Sequence, residues 1–178
     1  MGQSKTKNKA YQVTLGLFIA YLIILIWILI FKLGVEFSYM SNRNVNIIPF
    51  SEFFIPNGKV DPGGLIMNII IFIPFGIYTG IIFKMWPFGK QLVLFFCTSL
   101  LFEAIQYVMR IGAFDITDTI TNTTGGIIGL LMYKAIEKIS GNVVRAQQIT
   151  LGLASTGTLL MILLLVLLKL NILPIQYR

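Results

Sequence analysis

Five stretches of roughly twenty mainly apolar residues dominate this chain, and that length is what a helix needs to cross a bilayer core. They run from about Tyr11 to Phe31, Gly64 to Phe83, Gln91 to Met109, Thr117 to Ala135 and Ile149 to Leu168. The fourth is the least apolar because it carries Thr, Asn and Gly, and the fifth is almost uniformly aliphatic. Apolar residues make up 56% of the 178 and charged residues 12%. A soluble domain of this size needs about twice that share of charge to cover its surface. The solvent for this chain is therefore lipid. The expected fold is an all-α membrane protein, a polytopic bundle of about five transmembrane helices with an outer interfacial loop. Residues 1–10 read as a basic cytoplasmic N-terminus, 11–135 as a core of four spans, and 136–178 as a cytoplasmic loop with the fifth span. Lys5, Lys7 and Lys9 precede the first span and no small-residue cleavage site follows it, which predicts a retained signal anchor.

A net charge of +7 invites a nucleic-acid reading, but the basic residues form no stripe and lie between apolar runs. A bilayer with anionic lipids on its inner leaflet suits that charge better. The chain contains no histidine and one cysteine, Cys97, set in an apolar run. That excludes the common proton shuttle, a His/Cys metal site and an internal disulfide. Neither a cofactor nor a metal is expected, and chemistry falls to carboxylates, amides, hydroxyls and arginine.

Basic residues in short loops set orientation. With the N-terminus inside, Lys5, Lys7, Lys9, Lys84, Lys90, Lys134, Lys138 and Arg145 are cytoplasmic, and Glu137 is the acid that joins them. Glu36, Glu52, Asp61, Glu103, Asp115 and Asp118 all fall outside or in the outer half. This predicts a cell-membrane protein with a cytoplasmic N-terminus and an extracellular C-terminus. The outer connection from about Leu33 to Gly63 contains Asn46, Ile47, Ile48, Pro49 and Phe50, then Phe53, Phe54 and Pro56. Its prolines oppose a straight helix and its aromatic residues suit the headgroup layer. It reads as an interfacial loop, with a lid over an outer cavity as the alternative.

Polar residues within the spans need an explanation of their own. Ser99, Glu103, Gln106 and Arg110 share one helical stripe, with Glu103 about 10 Å deeper than Arg110 at 1.5 Å per residue. Asp118, Asn122, Gly125 and Gly129 form a second stripe, and Asp115 and Asp118 stand where carboxylates cap a helix start. Gly125, Gly126 and Gly129 are small enough to let another backbone close in. The second span adds Asn68, and Pro74 within it frees a backbone carbonyl and could widen a cavity. Asn68, Glu103, Gln106, Arg110, Asp118 and Asn122 thus lie at similar depth. Such a set suits recognition of a polar or phosphate headgroup, with Arg110 on the anion. Acid–base work by Glu103 with Asp115 or Asp118 is the rival reading, though no activated nucleophile accompanies them. A structural network that merely assembles the helices is the third.

The stretches Asn46–Phe50 (NIIPF), Asn68–Gly76 (NIIIFIPFG), Phe102–Gln106 (FEAIQ) and Ile111–Gly129 (IGAFDITDTITNTTGGIIG) resemble the VanZ-like family. The likeness extends over roughly residues 15–135 with the motifs in order. It implies reduced susceptibility to teicoplanin, a glycopeptide with a fatty-acyl tail, and partners drawn from the bilayer, a lipid-linked cell-wall precursor or the lipoglycopeptide itself. The family's shared polar positions correspond to Asn46, Pro49, Asn68, Pro74, Gly76, Glu103, Gln106, Asp115, Asp118, Asn122 and Gly126. Arg110 is the candidate that the resemblance does not carry.

Overall fold

The computed structural model describes residues 2–31, 45–51, 62–110, 112–141 and 143–169. Among them are five helices, α1 (Gly2–Phe31), α2 (Pro62–Ile82), α3 (Phe88–Met109), α4 (Ile116–Ser140) and α5 (Val143–Lys169). Two short strands, β1 (Val45–Asn46) and β2 (Phe114–Asp115), pair in parallel with Asn46 opposite Asp115. The all-α class therefore holds, with one small ladder that the apolar pattern did not announce. Among the described residues, Tyr11–Leu29, Pro62–Ile82 and Phe88–Met109 are the helices long and apolar enough to cross a membrane.

Local chemistry explains the boundaries. Pro87 separates α2 from α3, and Gln91 bends back to donate from Nε2 to the Phe83 carbonyl at 2.9 Å. That bond satisfies a carbonyl beyond the end of α2. Asp115 caps α4 by accepting the Thr117 N–H at 2.7 Å. The segment read as an inner loop after residue 135 is largely helical: α4 continues to Ser140 and turns at Gly141, whose φ of 59° costs glycine little. Lys84 and Glu137 form an ion pair at this end, between side chains exposed enough that it adds little stability.

Packing is governed by contact rather than by water exclusion, since lipid tails are as apolar as the side chains. α2 and α4 run in the same direction, backbone against backbone. A Cβ added to Gly125 would lie 2.2 Å from the Ile69 carbonyl oxygen, and one on Gly129 would lie 2.0 Å from that of Ile73. α3 returns antiparallel beside α4, with the Phe95 ring on Gly126. α1 joins through an aromatic cluster in which Phe18 stacks on Phe75 and Tyr21 leans on Tyr78. Pro74 is buried in α2, and close by the Tyr21 hydroxyl donates to the Ile71 carbonyl at 2.7 Å. α5 approaches the proline from its own side, where a Cβ on Gly157 would lie 3.9 Å from the Pro74 ring.

Candidate functional site

The polar candidates gather at the end of the bundle that carries the strand pair, where α1 and α3 finish and α2 and α4 begin. The first group starts in the loop. Asn46 donates from Nδ2 to Asp115 Oδ2 at 3.1 Å and to Ser51 Oγ at 2.8 Å. Its own Oδ1 accepts the Ile48 N–H at 3.2 Å, an Asx turn that folds Ile47–Phe50 back on itself. Phe50 holds a left-handed φ of 55°, and its N–H reaches Thr117 Oγ1 at 3.0 Å. An aromatic residue in that region is strained and persists only where its surroundings fix it. Here the strand pair and the Thr117 bond do so. Ile47, Ile48 and Phe50 are left exposed around the polar core.

Asp115 also links this loop to the bundle interior. Its backbone N–H donates to Glu103 Oε2 at 2.9 Å, while its side chain caps α4. Glu103 is only 2% exposed, so the carboxyl lies within protein rather than in lipid or open water. A chain of hydrogen bonds therefore runs from Ser51 through Asn46 and Asp115 to Glu103.

The second group lies on the α2 side of α4. Asn68 donates from Nδ2 to Asp118 Oδ1 at 2.7 Å, a charge-assisted contact that holds the starts of the two helices together. The Thr121 hydroxyl is near the same amide at 3.5 Å and donates to the Thr117 carbonyl. The third group faces α3, where Asn122 Nδ2 donates to Ser99 Oγ at 2.9 Å with both residues buried. Gln106 uses its Nε2 on the Leu29 carbonyl at 2.6 Å, near the end of α1.

The sequence candidates thus form a belt around the first half of α4 rather than one point. Asn46, Glu103 and Asp115 are connected, Asn68 and Asp118 pair on another side, and Asn122 and Gln106 join through separate partners. Arg110 is not drawn in. It terminates α3 with a left-handed φ of 58°, its N–H returning to the Gln106 and Tyr107 carbonyls, and its side chain is exposed. Of the Leu33–Gly63 connection, 45–51 and the first two residues of α2 are described; 33–44 and 52–61, with Phe53, Phe54 and Pro56, lie outside the described residues.

Ser51, Thr117 and Thr121 join the site without having been singled out. A capping signal for Thr117 is present in the Asp115-Ile116-Thr117-Asp118 run, whose aspartate precedes a helix start. No comparable signal marks Ser51. Among the described residues no group of three or more acidic, His or Cys side chains is placed to hold a metal ion. The arrangement can bind hydrogen-bonding groups and can hold a carboxyl in a fixed position.

No solved structure matches the chain. Protein VanZ of Enterococcus faecium is 37% identical over 154 residues, covering 85% of this chain and 89% of that protein. The model of the VanZ/LLP1 family matches residues 18–137, which take in the second half of α1, the loop segment, α2, α3 and nearly all of α4. The belt built on α4 falls wholly within that match, and the chain belongs to the VanZ/LLP1 family.

Proposed function

We propose that this protein lowers susceptibility to the lipoglycopeptide teicoplanin by engaging, at the outer face of the cell membrane, a lipid-linked cell-wall component or the acyl-bearing drug itself. In this reading all five helices cross the bilayer. The N-terminus is cytoplasmic, the C-terminus is extracellular and the strand-pair end faces outward. The observation that carries it is the hydrogen-bonded chain from the loop at Ser51 and Asn46, through Asp115, to the buried Glu103. Such a chain connects a surface segment flanked by exposed Ile47, Ile48 and Phe50 to a fixed carboxyl within the bundle. An acyl chain would lie along the apolar flank while the polar head meets Asn46, Asp115 and the groups beneath.

Labelled teicoplanin measures this directly. Cells carrying the protein should bind less drug than cells without it, and Glu103→Gln or Asn122→Ala should restore binding at unchanged membrane abundance. Resistance with unaltered drug binding defeats the reading. Glu103 and Asp115 also motivate a second one, an intramembrane acid–base enzyme acting on a lipid or lipid-linked substrate, with Asp118 as a further carboxylate. The use of Glu103 Oε2 to accept the Asp115 N–H favours a positioning role over catalysis. Lipid and muropeptide profiles separate the two: a species that appears or disappears with Glu103 supports the enzyme, and identical profiles support binding.

A further inference from the structure

The end of the bundle opposite the strand pair carries a surplus of positive charge. Lys84 follows α2, Lys90 lies in the first turn of α3, and Lys134 and Lys138 lie near the end of α4. Glu137 is the acid that joins them, and it is engaged with Lys84. Lys134 sits over the Phe88 ring, 5.4 Å from its centroid. Among the described residues no carboxylate pairs with Lys90. It lines an open groove of about 420 Å³ together with Trp86, Gly89, Val93, Leu94 and Cys97.

Local structure holds this groove open. Gly89 supplies no side chain, and a Cβ there would meet nothing within 4 Å. One wall is Trp86, whose ring stacks on Phe83 with the centroids 4.5 Å apart. The Phe83 carbonyl accepts the Trp86 N–H at 2.9 Å and Gln91 Nε2 at 2.9 Å, so the turn between α2 and α3 fixes that wall. From Gly89 to Cys97 the groove runs about 12 Å along α3 by helical rise, away from the charged end. A second groove on α3, lined by Leu101, Ala104, Ile105, Val108 and Met109, has nearly the same volume, about 400 Å³. Its lining contains no charge. Lipid covers both grooves, and of the two the one at Gly89 has a cation at its mouth.

We infer that the Gly89 groove holds one phospholipid with an anionic headgroup, its phosphate on Lys90 and an acyl chain along Val93, Leu94 and Cys97. A lysine ammonium meets a phosphate as a point charge and needs no fixed fork geometry. Tryptophan favours the headgroup layer, which puts Trp86 and Lys90 at the depth of a lipid phosphate. A zwitterionic lipid brings its own cation to this place, where the lysines of the same end oppose it. A free phosphate lacks the chain that would cover the apolar floor. The site lies at the far end of the bundle from the proposed drug-binding belt and does not depend on that reading.

Tryptophan fluorescence tests this in the full chain carrying Trp27→Phe, which leaves Trp86 as the reporter. The protein is placed in nanodiscs of phosphatidylcholine that contain rising fractions of brominated phosphatidylglycerol or brominated phosphatidylcholine, whose bromines quench an adjacent indole. Phosphatidylglycerol should reach half-quenching at about one-fifth of the fraction that phosphatidylcholine needs, the ratio expected for one lysine near an anionic lipid. Lys90→Gln should bring that ratio close to one by removing the charge. Gly89→Leu should do the same by filling the groove while keeping every charge. Lys138→Gln removes an equal charge at the same end but outside the groove, and should leave the ratio as it was. Equal quenching by the two lipids before any groove variant is made overturns the inference. So does a preference that survives Lys90→Gln or Gly89→Leu. A loss with Lys138→Gln as large as with Lys90→Gln overturns it in favour of diffuse attraction. Reversal of the phosphatidylglycerol preference by millimolar glycerol phosphate overturns it in favour of a site for free phosphate.

Discussion

α4 presents two faces that solve opposite problems. Toward α2 it offers Gly125 and Gly129, and the neighbouring backbone comes so close that no Cβ could be added. Toward α3 it offers Asp115, Thr119 and Asn122, which meet Glu103 and Ser99 and leave oxygens unmatched. The glycine face maximises backbone contact where lipid supplies no hydrophobic drive. The polar face forgoes that contact and spends its side chains on hydrogen bonds across to α3. One face is scaffold and the other carries the proposed site, whose helices the scaffold holds in register.

The largest effect expected on this contrast comes from the scaffold. Gly129→Leu places a side chain where the Ile73 carbonyl oxygen lies 2.0 Å from a bare Cβ, so α2 and α4 must separate. A loss of about 3 kcal/mol or more in the membrane-embedded fold should follow, read by denaturant unfolding of the reconstituted protein. Tolerance of leucine there would dissolve the distinction between the faces. Asn68→Leu removes the 2.7 Å bond to Asp118 at the start of the same helix pair and should cost about 1–2 kcal/mol.

Asp115 belongs to both roles, as helix cap and as the link between Asn46 and Glu103. Asp115→Ala should cost about 1 kcal/mol of stability, whereas Asp115→Asn keeps a capping side chain and most of that stability. If resistance is lost equally in both at matched abundance, the charge of Asp115 matters beyond capping. Arg110→Gly should raise stability by about 0.5–1 kcal/mol, because glycine adopts the left-handed φ of 58° without strain. Resistance should be unchanged, since Arg110 lies away from the belt. Thr119→Val sits at the foot of the scale. Replacing a buried unmatched hydroxyl with a methyl should leave stability level or slightly higher. A large loss would assign Thr119 to the scaffold.

Much of this was legible in the residues. The apolar runs marked the helices to within a few positions, except where α1 reaches back through the basic residues to Gly2 and where α4 and α5 continue through the segment read as a loop. A helix that begins in apolar sequence continues into polar residues until a residue such as Gly141 stops it, so hydropathy ends before the helix does. Glu103, Asn122 and Asp115 stood out because polar groups at membrane depth demand partners. The contact of Asn46 with Asp115 spans 69 positions of sequence and a two-residue ladder too short to leave a periodic signal.

Periodicity determined depth and face: which residues share a stripe, and how far each lies from a helix end. The same one-dimensional reading established the membrane class and the motifs that resemble the family. Which stripes meet was decided only by tertiary structure, through the rotation of each helix about its axis. That rotation is set on α4 by glycines that admit the α2 backbone at one azimuth, which turns Thr119 and Asn122 toward α3 and Asp118 toward Asn68. Arg110 shares a stripe with Glu103 by helical spacing, yet the helix ends before it in a left-handed turn. Where its side chain points is therefore set by a backbone angle that spacing does not encode.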